Sequence, residues 1–354
     1  MTNTEAEIET GLLETILAEP WDEENRLVYA DWLEEHSNSK AAELLRLQID
    51  LSYCDAEDRL DRERRLIEIA DDCDSIPAIT ITNSIGTEFV LVYPGAFLMG
   101  SPESELDRWK DEGPQHPVLV DRPFLIGRYP VTQAEWEAVM GNNPSSFLGE
   151  RRPVERVSWT EAQQFVVKLN ERQDGLVYRL PTEAEWEYCC RAGTTTRWSC
   201  GDDLSRLSDY AVFDAFETAS VGSKRPNPWG LFDMHGNVWE WCQDSYGPYD
   251  INVDASLPYR VIRGGSWPYL SQYCRSAIRS RYTGGRLSTL GFRLAAEPVD
   301  EGESPDHVVR GGSWKFDSHH CRSALRIWST PDFRNNILGF RIVAEPAAEG
   351  GQNE

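Results

Sequence analysis

The chain has 354 residues, 40% of them apolar, with 13 Trp, 13 Tyr and 12 Phe, which is enough for a packed core and too much for a disordered chain. Against 35 Lys and Arg stand 59 Asp and Glu, a formal charge of −24. Phosphate backbones and anionic membrane surfaces repel such a chain, which excludes general nucleic-acid or membrane binding and leaves room only for a local basic patch in the Arg-rich C-terminal segments.

The N-terminal stretch has no basic start, long apolar core or small-residue cleavage site, and no apolar run approaches the ~18 residues that cross a bilayer, so a cytoplasmic location is expected. Eight cysteines without a framework spacing read as free thiols. From Thr10 to about Asp74 the periodicity is helical, with one apolar face at Leu12, Leu13, Ile16 and Leu17 that stops at Pro20 and a second at Leu27, Val28, Trp32 and Leu33. "AAELLRLQIDLSYC" and "EDRLDRERRLIEIA" supply two more amphipathic stretches. The segment "LLETILAEPWDEENRLVYADWLEEHSNSKAAELLRLQ" resembles the short repeat-companion domain that opens many multidomain bacterial proteins, a resemblance that implies a module and no activity.

After Ser75 the texture changes. "AITITNSIGTEFVLVYPGAFLMGS" reads as a hairpin around "NSIG". Three capping boxes then open helices: Thr132 with Glu135, Ser158 with Glu161, and Thr182 with Glu185. Gly193 is placed to close the third of these helices. Beyond lies a region rich in Gly, Pro, Trp and Tyr, and the whole reads as α+β with short strands and long loops.

The segments "FLMGS", "YPVTQAEWEAVMG", "PVERVSWTEAQQFVVKLNE", "YRLPTEAEWEYCCRAG", "NPWGLFDMHGNVWEWCQD" and "RVIRGGSW…CRSA…GFR" follow one another in the order of the formylglycine-generating enzyme (sulfatase-modifying factor) family, which this chain resembles from about Ile79 to Glu297. The resemblance implies a variant of the C-type-lectin fold. The expected division is a helical domain over 1–75, the family domain over 76–298, an acidic linker over 299–306, a further segment over 307–345 and a disordered tail over 346–354.

Around "GLFDMHGNVWEW", Asp233, Glu240 and intervening carbonyls are hard oxygen ligands suited to calcium, the favoured reading over an ion-free loop in which Glu240 accepts backbone N–H bonds. The resemblance implies a calcium held by Asp233, the carbonyls of Gly236 and Val238, and Glu240. It also implies a copper site made by two cysteines with four residues between them, just after "GGS". Here Cys274 suits the first position and Arg279 stands at the second, so copper is not expected, and Cys274 reads as a small buried hydrophobe that would be catalytic only in an active enzyme. The iron-dependent sulfoxide synthases of the family use a His triplet in a helical domain, whereas only His36 of the six histidines falls in the N-terminal module.

Two stretches share a frame. "RGGSWPYLSQYCRSAIRSRYTGGRLSTLGFR" starts at Arg263 and "RGGSWKFDSHHCRSALRIWSTPDFRNNILGFR" at Arg310. The frame residues are held, with Trp267 and Trp314 as core anchors and the arginines as clamps, while the residues between them change. The changing residues have the composition of adaptable binding loops, and this pattern resembles the variable proteins of diversity-generating retroelements. Candidate ligand contacts are Tyr269, Gln272, Tyr273, Arg279, Arg281, Tyr282 and Arg286 in the first copy, and Trp328, Arg334, Asn335 and Asn336 in the second. The second copy is too short to build its own core and is expected to dock on the domain, displace the first copy or join a neighbouring chain as an oligomer contact. The expected function is non-catalytic binding of a protein or small-molecule ligand. The alternatives are an oxidoreductase acting on a thiol with O2, and a structural adaptor.

Overall fold

The computed structural model describes residues 3–20, 22–53, 56–73, 76–249 and 258–299, together with two strands of the C-terminal segment, 307–310 and 326–329. Four helices come first: α1 (Asn3–Ala18), α2 (Glu23–Glu35), α3 (Ser39–Tyr53) and α4 (Ala56–Asp72). Asp22 caps α2 by accepting the Glu24 N–H. In α1, Ile16 is buried and Leu12, Leu13 and Leu17 pack beside it, as the periodicity predicts. In α2 the inward face is turned from the predicted one. Arg26, Tyr29, Ala30 and Leu33, spaced i, i+3, i+4 and i+7, are buried, which leaves Leu27 and Val28 exposed.

Next come β1 (Thr80–Thr82), β2 (Glu88–Val92), β3 (Gly95–Met99), β4 (His116–Val120), β5 (Phe124–Gly127), α5 (Gln133–Met140), α6 (Trp159–Asn170), β6 (Leu176–Arg179), α7 (Glu183–Arg191) and α8 (Leu204–Tyr210). β1 and β2 form the predicted hairpin, whose turn is fixed by the Asn83 side chain accepting the N–H groups of Ile85 and Thr87. All three capping boxes form, at Thr132, Ser158 and Thr182. Helix α7 ends on two successive left-handed residues, Ala192 at φ 46° and Gly193 at φ 93°.

The remaining strands of this unit are β7 (Trp239–Ser245), β8 (Arg260–Arg263), β9 (Arg279–Tyr282), β10 (Leu290–Gly291) and β11 (Ala295–Pro298). The first sheet runs β1-β2-β5-β11-β6 and is antiparallel throughout. Its central strands are buried on both faces: Phe89, Leu91 and Leu125 face one core cluster, and Val90, Val92, Phe124 and Ile126 face another built on Trp186 and Tyr188 of α7. A second sheet runs β10-β7-β8-β9, and β3 pairs with β4.

The cluster containing Phe89 and Leu91 also takes in Ile16, Tyr29, Ala30, Leu33, Leu45 and Ile49 of the N-terminal helices. Residues 1–299 are one compact unit, in which the helices share that cluster with the sheet and also keep a smaller one of their own at Leu44, Leu51, Leu66 and Ile69. Polar contacts fix the join: Gln48 donates to the Pro228 carbonyl at 2.7 Å, Arg59 donates to the Gly193 carbonyl at 3.0 Å, and the buried Glu63 accepts from both the N–H and the hydroxyl of Thr195.

The C-terminal segment forms its own unit. Its described strands, β12 (His307–Arg310) and β13 (Arg326–Ser329), are antiparallel with Arg310 opposite Arg326. The first copy pairs Arg263 with Arg279 in the same way, so the repeated sequence carries a repeated strand register. Trp328 lies at a register position opposite Val308, whereas Trp314, Arg334, Asn335, Asn336 and the tail fall outside the described residues.

Candidate functional site

The frame of the first copy is fixed by buried charge pairs. Arg263 on β8 binds Glu187, stands 3.3 Å from Glu183, and donates to the Ile278 carbonyl. Arg279 on β9 grips both oxygens of Glu183 at 2.8 and 2.6 Å beneath the Tyr249 ring. Arg275 takes Glu112 and Glu105, and Arg293 takes both oxygens of Glu240 at 2.6 and 2.8 Å. All four arginines are buried. The expectation that arginines clamp carboxylates therefore holds, but the carboxylates are the chain's own. Arg279, a candidate ligand contact, is corrected to a scaffold residue, because its guanidinium is shut away on α7.

The "GG" that follows Arg263 is required by the turn. Gly264 and Gly265 both have positive φ, and a Cβ on Gly265 would lie 2.3 Å from the Tyr273 carbonyl and 2.8 Å from the Cys274 sulfur. Cys274 is thus folded inside the turn and fully buried. Burial, with the neighbouring Cys190, pushes its thiol up to about 12, so it stays protonated and is a poor nucleophile. Beneath it, His235 sets its Nδ1 2.8 Å from the Cys274 carbonyl, while its Nε2 faces the donating Ser199 N–H at 3.1 Å. Those partners assign the proton to Nδ1, and burial lowers the ring's pKa to about 4.

Both carboxylates considered for calcium are engaged otherwise. Glu240 spends both oxygens on Arg293, and one of them also accepts from the Trp186 indole at 2.7 Å. Asp233 accepts from the Gly222 N–H and the Asn237 amide, and burial pushes its carboxyl up to about 6. The Gly236 N–H bonds to the Gly264 carbonyl, and Val238 is buried in the strand lead-in. With a guanidinium already neutralising Glu240, this donor set does not fit a calcium held through Glu240. Among the described residues no group of three or more His, Cys, Asp or Glu side chains is placed to hold a metal ion.

The residues between the frame positions face outward. Tyr269 is 38% exposed and Leu270 52%. Tyr269 packs on Trp239 and Tyr273, with ring centroids 6.2 and 5.3 Å apart, and Tyr273 meets Trp109 edge-on at 5.8 Å. The neighbouring loop is tied on by Asp214 donating to the Tyr269 carbonyl and Ala215 to the Trp267 carbonyl, which presents Phe216 at 95% exposure. Trp267, only half-buried, anchors from below: its indole donates to the Ser288 carbonyl, and its ring meets Phe147 beside Leu148, itself 72% exposed.

Of the candidate contacts, Tyr269 and Tyr273 therefore share one face, while Gln272 is half-buried and its carbonyl is taken by Arg275. Arg281 sits over Tyr246 and Tyr259, Tyr282 packs on Trp241, and the exposed Arg286 is paired with the capping Glu161. Trp109, Leu148 and Phe216 were not foreseen. They lie in loops without periodicity, and no local pattern marks them.

The family model for the sulfatase-modifying factor enzyme 1-like domain matches residues 80–298 and again 300–346. Among curated proteins, the chain is 33% identical over 247 residues to the serine/threonine-protein kinase pkn1 of Chlamydia pneumoniae, covering 59% of this chain and 38% of that protein. It is 34% identical over 208 residues to the formylglycine-generating enzyme of Mus musculus, covering 51% of this chain and 53% of the enzyme. The chain thus spans well under two thirds of these two relatives. Among solved structures, Treponema denticola variable protein 1 superposes with a TM-score of 0.54 at 31% identity, covering 62% of this chain and 98% of that one. With the frame, the sheets and the order of motifs all in agreement, the chain belongs to the sulfatase-modifying factor enzyme 1-like family.

Proposed function

We propose that this protein is a non-catalytic recognition module that binds a protein partner through the face formed by Tyr269, Leu270, Tyr273, Trp109, Phe216 and Leu148. The observation that carries this reading is the division of labour in the first copy. Every frame arginine is spent on an internal carboxylate, while the residues between them present exposed aromatic and aliphatic side chains. Large exposed apolar faces of this kind mark protein interaction sites. A protein partner is favoured because the face is built of exposed side chains, and a cleft of about 320 Å³ lies elsewhere, between β4, α7 and β11.

Oxidase chemistry is disfavoured by the chemistry of Cys274, whose buried, protonated thiol has Arg279 and its glutamate at the position where the family's second cysteine was expected. The rival enzyme is tested by anaerobic titration with Cu(I), followed by oxygen consumption with a cysteine peptide, beside Cys274→Ser. We expect no Cys274-dependent copper binding and no turnover; both together would restore the oxidase. The binding face is tested by placing a photo-crosslinking residue at Phe216 and comparing crosslinks with those from a control at Glu171 on the end of α6. A discrete protein adduct specific to position 216, lost on adding Tyr269→Ser and Leu270→Ser, is expected; equal labelling at both positions would sink the assignment.

A finer reading is favoured by the similarity to the Treponema denticola variable protein: the residues between frame positions are a diversified set. Sequencing this locus across independent isolates should then find changes concentrated between "GGSW" and "GFR". An even spread of changes along the gene would reject diversification.

A further inference from the structure

Among the described residues, six arginines are buried: Arg26, Arg191, Arg263, Arg275, Arg279 and Arg293. Five are paired with glutamates, Arg191 with Glu187, Arg263 with Glu187, Arg275 with Glu112, Arg279 with Glu183 and Arg293 with Glu240. Arg26 is the exception. It is 4% exposed, no carboxylate of the described residues reaches it, and its Nε has no hydrogen-bond partner. Its contact is with an aromatic face: the guanidinium carbon lies 3.8 Å from the centroid of the Tyr93 ring.

A cation–π contact recovers only part of the cost of removing an ion from water, and a buried charge ordinarily needs a counter-charge. The surroundings of Arg26 offer a place for one. Arg26 and Tyr93 line a cavity of about 30 Å³ together with Gln48, Ser52 and the apolar wall of Val90 to Val92. The Tyr93 hydroxyl is also buried without a partner. A guanidinium has only donors to offer, and a phenol hydroxyl can donate, so the unsatisfied groups here call for an acceptor. Water would supply the acceptor and leave the charge uncompensated.

We propose that this seam, between helices α2 and α3 and the end of strand β2, binds a small monovalent anion against Arg26 and Tyr93. The volume admits one or two water-sized centres, which suits a halide or an ion the size of formate and excludes phosphate esters and nucleotides. Because Arg26 stands on α2, Gln48 and Ser52 on α3, and Tyr93 just beyond β2, the ion bridges the helices to the sheet and strengthens their docking. The site is independent of the binding face proposed above.

Thermal unfolding of the full chain in sodium chloride against sodium gluconate, at one ionic strength, tests this. Gluconate is too large for the cavity, so chloride should raise the wild-type midpoint by mass action, and Arg26→Met should remove the difference. An equal chloride response in wild type and Arg26→Met, or none in the wild type, overturns the proposal. Should Arg26→Met fail to fold, crystals of the wild type grown in bromide decide the matter. An anomalous peak in contact with the Arg26 guanidinium is expected, and a site holding water alone in bromide overturns the assignment.

Discussion

Arg275 shows how a single side chain fixes a loop in this fold. Its guanidinium collects Glu105, Glu112 and the Asp107 carbonyl from one stretch and the Gln272 carbonyl from its own. Removing one partner of a buried pair leaves the other charge stranded, so Arg275→Ala should cost about 3–5 kcal/mol in denaturant unfolding. Asp233 and His235, two positions apart, give opposite pH dependences. His235 titrates at about 4 in the fold against 6.5 outside it, so the unfolded chain binds the extra proton and stability is lost as pH falls through that window. Asp233 is raised from 3.8 to about 6, so its contribution is complete at low pH and is lost as pH rises through 3.8 to 6. Asp233→Asn, tolerated at the left-handed φ of 57°, should therefore gain on the wild type as pH rises from below 4 to above 6, by up to about 3 kcal/mol. A constant offset between the two unfolding curves across that range would contradict the assignment.

At the scale of elements, α7 is the piece on which the frame closes. Its capping box starts it, its Trp186 and Tyr188 enter the core, and Glu183 and Glu187 reach Arg263 and Arg279 on two strands. Thr182→Ala removes one cap and should cost about 1 kcal/mol, whereas Glu187→Ala, which removes the carboxylate that Arg191 and Arg263 share, should cost several times that. Comparable losses in the two variants would mean that the carboxylate is replaceable. The capped start of α7 was legible because two residues at a fixed short spacing, Thr182 and Glu185, suffice to define it. The partners of its glutamates were not, since they lie about 76 and 96 residues away and follow no period.

For the whole molecule, the helices before residue 75 and the sheets after it share a core, while the segment from Asp300 is a separate compact unit. Deleting residues 301–354 should accordingly leave the thermal midpoint of the remainder within a degree or two, as surface changes do. A large fall would show that the second copy is part of the main fold. The same deletion tests assembly: if the second copy joins chains, light scattering of the full protein will show a concentration-dependent mass that the shortened protein lacks.

The sequence alone determined what rests on short-range or ordered patterns: the capped helices, the hairpin at Asn83, the family order of motifs and the doubled frame. Tertiary structure decided what depends on which distant groups meet. The "CRSA" cysteine became an inert thiol because the Gly264–Gly265 turn closes over it. Glu240, which read first as a cation ligand and second as a structural acceptor, became the partner of Arg293 and Trp186. The apolar face of α2 turned toward Arg26 and Tyr29 because the sheet lies on that side. The exposed face around Phe216 came from loops held by backbone bonds to Trp267 and Tyr269, and such bonds leave no mark in the residues they join. Periodicity and capping are local and survive in a string of letters, whereas charge pairing across a core exists only once the chain has folded.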